Sequence, residues 1–409
     1  MPDTEAAGGA EAGRAGVGPS SRKGVEDFRA EVRAWLDEHA PAKGSDDDFS
    51  SIHVVSAQTM EEYRRREHEA FERSCGWQRQ LFEAGWAGRS WPGDLGGHGA
   101  AGWQDDVVAE EQARYGVSTK MLAVALEMLP PVLFRHGTPD QQATHLPAVL
   151  RGDSSWCQLL SEPAAGSDLA SVTTFATPTA GGWSVSGQKV WTSGAGSSDH
   201  ALLVARTDRD VPGRAGLSCF AVSMRQPGVE VRPLRQMSGG YHFNEVFLDG
   251  AFVAETDLIG DLGGGWAVLR TMLTSERAAI GGGTSARSAA QLVALAEEVG
   301  RNGDAAARQT VVAAVVRERL LDLMVARAAS GTVPAAGSVT KLLYSEHARL
   351  SASAGMELLG ADALATGARS DPWLERFLFA PGLRLGGGTD EIQRNIIAEQ
   401  GLGLPREPR

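Results

Sequence analysis

Apolar residues near the start of the chain recur with the period of an α-helix. Val25, Phe28 and Val32 are spaced by three and four positions, which places them on one helical face. A second segment with helical spacing covers residues 60–84. Residues 22–155 are therefore predicted to form an N-terminal helical domain.

The pattern changes to that of β-strands near Trp156. An apolar run occupies residues 156–160, and residues 183–186 alternate between apolar and polar after a Gly-Gly pair. Gly, Pro and Asp turns separate further short apolar runs, which cover residues 201–205, 218–224, 229–231 and 245–248. Residues 156–260 are predicted to form a small antiparallel barrel or sandwich.

Helical periodicity returns after the glycine run at residues 263–265. Long helical segments are predicted over residues 266–300, 305–330, 335–360 and 390–400. Their lengths suit a four-helix bundle over residues 261–409. The predicted fold class is α+β, mainly α, with a helical domain, a central β-barrel or β-sandwich domain and a C-terminal four-helix bundle.

Composition narrows the classes of function. The chain has 409 residues and a net charge of −12, which argues against nucleic acid or an anionic membrane as its main partner. No apolar run reaches the roughly 18 residues of a membrane span, and the N-terminus lacks a signal pattern. Three cysteines without CxxC spacing argue against a disulfide scaffold or a zinc site and favour a cytoplasmic protein. Residues 1–21 are predicted to be a disordered tail.

Two segments of the β-region carry candidate ligand contacts. The loop over residues 161–168 combines hydroxyls, small residues and Gly166, so it could cradle a phosphate or the rim of a flavin. The alternative is a tight connection whose Ser and Asp satisfy their own backbone. The strand over residues 187–194 ends in Trp191 and Ser193, where a flat ring could lie, although Trp191 could equally be a core residue.

A carboxylate falls within the apolar stripe of the first C-terminal helix. Trp266, Leu269, Leu273 and Glu276 are spaced by three, four and three positions. Loss of hydration would raise the pKa of Glu276, which suits a base that removes a proton near neutral pH. The alternative is a glutamate at the stripe edge, paired with Arg or Lys. The glycines at residues 281–283 indicate close packing, approach to a ligand, or the end of the helix.

A glycine-rich loop precedes the last helix. Residues 385–389 read Leu-Gly-Gly-Gly-Thr, and Thr389 or Asp390 can cap the helix that follows. Glycines allow backbone N–H groups to approach a bound molecule closely. The sequence therefore predicts a ligand contact at this junction.

Together these motifs resemble the acyl-CoA dehydrogenase family, over residues 25–406. The resemblance implies the three-domain fold, bound FAD, and a homodimer or tetramer, with a heterotetramer as the alternative. It also implies the cofactor-binding residues, which are Gln158, Leu160, Ser161, Gly166, Ser167, Trp191, Ser193, Glu357, Gly360, Thr389 and Glu391. Trp191 would lie near the isoalloxazine ring, and Ser193 would face flavin N5.

The sequence departs from the common family pattern at the catalytic base. Many members carry a Glu in a Tyr-Glu-Gly-Thr segment, where this chain has Gly387. A smaller set, which includes long-chain, isovaleryl-CoA and actinobacterial steroid side-chain dehydrogenases, has Glu before Arg on the first bundle helix, as Glu276 and Arg277 are here. The family's Phe-Gly and Gln-x-x-Gly-Gly motifs are also replaced, at residues 301–304 and 357–361.

The resemblance implies α,β-dehydrogenation of an acyl-CoA or carrier-protein thioester. Glu276 would remove the α-proton while hydride passes to flavin N5, and the N–H of Gly387 would polarise the thioester carbonyl. Arg277 would contact the CoA portion, Ser167 would lie near substrate and FAD, and an electron-transfer flavoprotein would accept the electrons. Asp390 and Glu391 are the fallback candidates for the base. The alternatives are a flavin monooxygenase or oxidase, and a non-catalytic subunit of a heteromeric dehydrogenase.

Overall fold

A computed structural model describes residues 22–50, 59–282, 288–365, 367 and 371–406. The predicted tail over residues 1–21 and the last glycine of the 281–283 run lie outside the described residues. Along the chain a helical region is followed by a β-sheet and then by a second helical region. This order confirms the predicted fold class.

Helices make up most of the described residues before and after the sheet. Their bounds are α1 Arg22–His39, α2 Met60–Glu83, α3 Trp103–Gln112, α4 Leu129–His136, α5 Pro139–Leu150, α6 Gly265–Gly282, α7 Ala289–Glu298, α8 Ala305–Ala329, α9 Ala336–Leu359, α10 Asp371–Leu383 and α11 Asp390–Ile396. Within α1, Phe28, Val32 and Leu36 are buried at four-residue intervals, which confirms the predicted apolar face. No helix of the described residues is both long and apolar enough to cross a membrane.

The chain divides into two compact units. The described residues of the first are 22–50, 70–122 and 142–153, and its core packs Trp77, Leu81 and Leu150 with residues of α1. The second unit contains residues 59–69 and 123–141 together with the described residues from 154 onward. All the candidate catalytic and cofactor-binding residues belong to this second unit.

The β-region is one hydrogen-bonded sheet with the strand order β6-β7-β3-β2-β4-β5-β8, in which β1 also pairs with β4. Its strands are β1 Trp156–Leu159, β2 Phe175–Thr179, β3 Gly182–Ser193, β4 His200–Arg206, β5 Leu217–Ser223, β6 Val229–Leu234, β7 Phe243–Ala254 and β8 Leu258–Ile259. The prediction of a wholly antiparallel sheet was wrong, because β1 lies parallel to β4 and β2 meets β4 in parallel at one residue pair. Apolar runs reveal strands but not the direction in which they pair.

The core of the sheet is formed by strands that carry continuous apolar runs and are therefore buried on both faces. Residues Ala201–Ala205 of β4 are all fully buried, as are Leu217, Cys219 and Phe220 of β5. Strand β2 was not predicted because it contains Pro178 and ends in exposed polar residues, so it carries no apolar run.

The C-terminal region differs from prediction in its helix count. The segment predicted as one helix over residues 266–300 contains two helices, α6 and α7, and α6 ends within the glycine run. Helix α10 was missed because Pro381 interrupts its helical pattern. Helix α9 contacts α6, α7, α8, α10 and α11 and forms the centre of this region.

Candidate active site

Glu276 lies on the buried face of α6. Val268, Leu269 and Met272 of that face are at most 1% exposed, and Glu276 follows Met272 by one helical turn. Trp266, which the sequence placed in the same stripe, is only half-buried. Of the predicted apolar stripe, Leu269 is buried, while Trp266, Leu273 and Glu276 are half-buried, so the buried face is centred on different residues.

The carboxylate of Glu276 accepts a 2.8 Å hydrogen bond from Nε2 of Gln158. Loss of hydration raises its pKa above the ordinary value, while the Gln158 hydrogen bond and the charges of Arg277 and Lys341 act in the opposite direction. The side chain is still partly accessible to solvent. Glu276 is therefore a half-buried carboxylate with a raised pKa, as expected of the predicted base.

Gln158 reaches Glu276 from strand β1. Its neighbours Cys157 and Leu159 are fully buried in the sheet core, so strand alternation directs Gln158 to the opposite face. Its Oε1 is buried and has no hydrogen-bond partner among the described residues. An unsatisfied buried acceptor is costly, so this atom is suited to a donor group on a bound molecule.

Arg277 is partly buried and follows Glu276 directly in α6. Its Nε is buried and has no partner among the described residues, and burial lowers its pKa against the effect of neighbouring Glu276. A guanidinium group that lacks a partner can bind a phosphate or carbonyl oxygen of a ligand.

The loop over residues 161–168 is held by a buried ion pair. Lys189 of β3, which is fully buried, donates to Glu162 at 2.9 Å and to the carbonyl of Leu160 at 3.0 Å. The Glu162 carboxylate also accepts from both Thr173 and Thr174. Burial opposes ionisation of Glu162, but the Lys189 charge and these hydrogen bonds lower its pKa to about 2. These contacts fix the start of the loop.

The rest of this loop is open to ligand. The Ser161 carbonyl accepts from the Val190 N–H at 3.0 Å, which joins the loop to β3. Gly166 and Ser167 are exposed, and a side chain placed at Gly166 would meet no atom within 4 Å. The alternative, a tight connection that satisfies its own backbone, holds for Glu162 and Ala165, because each backbone N–H donates to the other residue's carbonyl. It does not describe the exposed residues Gly166 and Ser167.

Trp191 projects away from the sheet. It has a positive φ of 63°, in a bulge where β3 loses register with β7. Its side chain is 61% exposed, and its ring edge meets Phe243 at a centroid distance of 5.9 Å. The alternative of a core tryptophan is excluded. A bulky residue in this conformation is strained, and such strain is typical of functional positions.

The residues after Trp191 complete the end of β3. The Thr192 hydroxyl oxygen is buried and has no partner among the described residues, while its carbonyl accepts from Asn244 at 3.0 Å. Ser193 lies 3.4 Å from Nε2 of His242, measured from its hydroxyl oxygen. Two polar side chains of this strand end are thus available for additional hydrogen bonds.

The glycine-rich loop joins α10 to α11. The Thr389 hydroxyl accepts from the N–H of Ile392 at 3.2 Å, so Thr389, one of the two predicted caps, is the N-cap of α11. Gly387 and Gly388 have φ values of 68° and 85°, which L-residues with side chains rarely adopt. The loop therefore depends on glycine at these two positions.

Asp390 was a fallback candidate for the base, but its contacts argue against that role. It accepts from Lys341 at 3.0 Å, from Arg384 at 2.7 Å and from Ser345 at 2.7 Å. Burial acts against ionisation, but the hydrogen bonds from Arg384, Ser345 and Lys341 lower the pKa of Asp390. Glu391, the other fallback candidate, has a side chain that is 71% exposed, and it lies 3.7 Å from Arg394.

Glu357 and Gly360 lie at the far end of α9. Sixteen residues of helix separate Glu357 from Lys341, which corresponds to about 24 Å. Both residues are exposed, and the Glu357 carbonyl accepts from Arg301 at 2.8 Å. Within one chain they are not brought to Glu276, so a cofactor contact from these residues remains a prediction that concerns a neighbouring subunit.

Several polar residues that build the site were not predicted. Lys189, Lys341 and Gln393 are fully buried, and each one contacts a loop that was predicted to bind ligand or a residue at the end of such a loop. A single lysine inside an apolar segment was the available signal for Lys189 and Lys341. Their partners cannot be read from local spacing.

Comparison with known proteins identifies the family. Residues 24–153, 157–250 and 263–402 match, in order, the N-terminal, middle and C-terminal domains of acyl-CoA dehydrogenases. The chain belongs to the acyl-CoA dehydrogenase family. It is accordingly an FAD-dependent oxidoreductase, as the sequence motifs implied.

Individual relatives place the chain near actinobacterial members. Acyl-CoA dehydrogenase IpdE1 of Mycolicibacterium smegmatis is 36% identical over 397 residues, which cover 94% of this chain and 98% of IpdE1. The structure of the Tcur3481-Tcur3483 steroid ACAD is 26% identical with a TM-score of 0.75, over 95% of this chain and all of that one. The ChsE4-ChsE5 complex from Mycobacterium tuberculosis is 25% identical with a TM-score of 0.73, over 95% of this chain and 99% of that one.

Proposed function

We propose that the protein catalyses α,β-dehydrogenation of an acyl-CoA or related acyl thioester, with Glu276 as the base that removes the α-proton. The observation that carries this proposal is the Glu276 carboxylate, which lies on the buried face of α6 and accepts a hydrogen bond from Gln158. Family membership supports the reaction class, and the local contacts support this residue as the base.

The protonation state of Glu276 fits the proposed step. Burial raises its pKa, so the carboxylate is a stronger base than an exposed glutamate. The Gln158 hydrogen bond and the positive charges of Arg277 and Lys341 favour the ionised form that must be present before proton transfer. The opposed influences suit a base that works near neutral pH.

The residues around the end of β3 fit an FAD cofactor. Trp191 offers an exposed aromatic surface, and the Gln158 Oε1 and the Thr192 hydroxyl are buried acceptors without partners among the described residues. Ser161, Gly166, Ser167 and Ser193 would line the same site, as the sequence resemblance implied. FAD would supply the acceptor for the β-hydrogen as hydride.

The thioester is proposed to lie between Glu276 and the glycine loop. The backbone N–H of Gly387 would donate to the thioester carbonyl, which acidifies the α-proton. Arg277 would bind the CoA portion, because its buried Nε lacks a partner. Thr389 and Glu391 would contribute to the cofactor site, and an electron-transfer flavoprotein would accept the electrons.

A second copy of the chain, or a related subunit, is proposed to cover α8. Five large apolar residues with helical spacing are between 43% and 54% exposed on this helix: Val312, Val315, Val316, Leu320 and Leu323. Such a stripe is typical of an assembly face. A homodimer or tetramer is proposed, and the heteromeric ChsE4-ChsE5 complex motivates a heteromer as the alternative.

An anaerobic titration tests the proposed function. Acyl-CoA thioesters should bleach the flavin absorbance of the purified protein, and a bulky steroid-type thioester is the first to test because a structural relative is described as a steroid ACAD. Glu276→Gln keeps the size and hydrogen bonding of the side chain but removes the base, so flavin reduction should fall at least about 100-fold.

The other outcomes are distinguishable. If thioesters bleached the flavin of Glu276→Gln at the wild-type rate, the assignment of the base would be contradicted. Bleaching only by a reductase, with rapid oxygen uptake, would favour a monooxygenase or oxidase. A folded but colourless oligomer would favour a non-catalytic subunit.

A further inference from the structure

One buried side chain forms hydrogen bonds with the backbone of the glycine loop between α10 and α11. Gln393 is fully buried, and its Nε2 donates to the carbonyl of Gly387 at 2.8 Å and to the carbonyl of Gly388 at 3.1 Å. Both hydrogens of one amide group are thereby used on two successive peptide groups of the loop. The oxygens of these two peptide groups are held towards α11.

This contact determines where the backbone donors point. In a trans peptide the N–H lies opposite the C=O, so the N–H groups of Gly388 and Thr389 are directed away from Gln393. With the Gly387 carbonyl fixed, the direction of its own N–H depends on its φ, which is 68°, and on its ψ. The N–H groups of Gly387 and Thr389 form no hydrogen bond with the described residues.

A second group of contacts closes the base of the loop. The N–H of Asp390 and the Nζ of Lys341 both donate to the carbonyl of Arg384, at 3.0 Å and 3.3 Å. The Arg384 guanidinium donates a 2.7 Å hydrogen bond to the Asp390 carboxylate. Residues 384 and 390 are thus held together, and the five residues between them form a loop with joined ends.

We propose that Gln393 is a positioning residue for the reaction: its amide group orients the glycine loop so that backbone N–H groups meet the thioester carbonyl. The inference rests on the proposed function, because it requires a thioester at this loop. Gln393 itself acts through the loop backbone and does not touch the reacting atoms. Preorganised donors of this kind need no rearrangement during the reaction.

Gln393→Leu removes the donors, and Gln393→Glu keeps the shape but leaves only acceptors against the two carbonyls. Gln141→Leu is a matched control. Gln141 is 5% exposed, and its Nε2 also donates to two backbone carbonyls, those of Thr256 and Leu258, at 2.7 Å and 2.8 Å. The control loses the same kind of contact in a different loop.

The probe is 4-(dimethylamino)cinnamoyl-CoA, whose absorption band moves to longer wavelength when its carbonyl is polarised. Wild type, Glu276→Gln and Gln141→Leu should show the full red shift. Gln393→Leu and Gln393→Glu should retain FAD and bind the probe, yet lose about half of the shift or more. Their flavin reduction by a substrate thioester should slow about 100-fold at saturation, the usual effect of losing an oxyanion donor.

A full red shift with wild-type reduction in both Gln393 variants would overturn the inference while leaving the proposed function intact. An equal loss of shift in Gln141→Leu would also overturn it, because the effect would then be general destabilisation. If Gln393→Leu does not fold, Gln393→Glu decides by the same measurements. A wild-type protein that binds the probe without any shift would contradict the proposed function and this inference together.

Discussion

The side-chain amide of Gln158 donates a 2.8 Å hydrogen bond to the carboxylate of Glu276, and so joins the first strand of the sheet to the first C-terminal helix. The resemblance had implied that Gln158 contacts the cofactor, and the structure adds a contact with Glu276, the proposed base. A donor that faces a carboxylate favours the charged form and lowers its pKa. Gln158 is therefore expected to determine the pH at which Glu276 becomes active.

Replacing Gln158 with Leu should move the acidic limb of the pH–rate profile to higher pH. Without the amide donor, the pKa of Glu276 rises further, and the base remains protonated over a wider range. A hydrogen bond to a charged group contributes about 1.5–3 kcal/mol, which corresponds to about one to two pH units. The measurement is the rate constant for flavin reduction at saturating thioester across pH. Weaker FAD binding with an unchanged profile, measured at saturating FAD, would show that Gln158 serves the cofactor alone.

Local patterns predicted much of the fold. Helix α2 begins at its predicted first residue and ends one residue before its predicted end, because its apolar spacing and flanking turns are both strong. Strand β2 was missed because Pro178 and exposed polar residues conceal it. The parallel pairing of β1 with β4 is a tertiary feature, which no local pattern encodes.

In the candidate site, too, local features could be predicted from the sequence and long-range contacts could not. Glu276 could be named as a candidate base because a carboxylate in an apolar stripe is a local signal. Its partner Gln158 is 118 positions away, and Asp390 is 49 positions from Lys341. Such pairs form only when separate elements fold together. Asp390 consequently looked like a candidate base in the sequence, and its role as an ion-pair partner appeared only in the structure.

The strained conformation of Trp191 leads to a prediction with two opposed effects. Trp191→Gly should relieve the positive φ of 63°, which costs a residue with a side chain about 1–2 kcal/mol relative to Gly, but it also removes the contact with Phe243. The unfolding midpoint of the apoprotein should therefore change little. FAD affinity should fall by up to about tenfold, since an aromatic stacking surface worth about 0.5–1.5 kcal/mol is lost.

Equilibrium dialysis of FAD, together with thermal unfolding of the apoprotein, checks this prediction. Trp191→Phe is the control, because it keeps an aromatic ring in the same backbone conformation, and it should retain most of the affinity. Unchanged FAD binding in Trp191→Gly would remove Trp191 from the cofactor site.

The buried Lys189–Glu162 pair leads to a prediction about stability. Lys189→Met leaves the Glu162 carboxylate buried without its counter-charge, which typically costs about 3–5 kcal/mol. Adding Glu162→Gln should recover part of the loss, because the second variant removes the isolated charge. Denaturant unfolding measures both variants. Arg232→Met, which breaks the exposed Arg232–Glu230 pair, is the control and should change stability little.

The same pair predicts how stability depends on pH. The pKa of Glu162 is lowered from 4.5 to about 2, so its ionised form contributes stability that is fully present above about pH 4.5. That contribution should be lost as the pH falls towards 2, and Glu162→Gln should lack this component of the decline. Identical pH dependence in wild type and Glu162→Gln would show that Glu162 is not held as an ion in the folded protein.

The glycine loop leads to a prediction about backbone space. A methyl group at Gly388 would lie 2.6 Å from Nε2 of Gln393, and Gly388 has a φ of 85°. Gly388→Ala should therefore displace the amide that holds the loop and slow flavin reduction about tenfold or more, with a smaller effect on thioester affinity. Gly386→Ala is the control, because its methyl group would make an ordinary 3.6 Å contact with the Gly382 carbonyl. Equal rates for the two variants would mean that the exact conformation of Gly388 is not needed, and that the loop tolerates a shift without loss of its function.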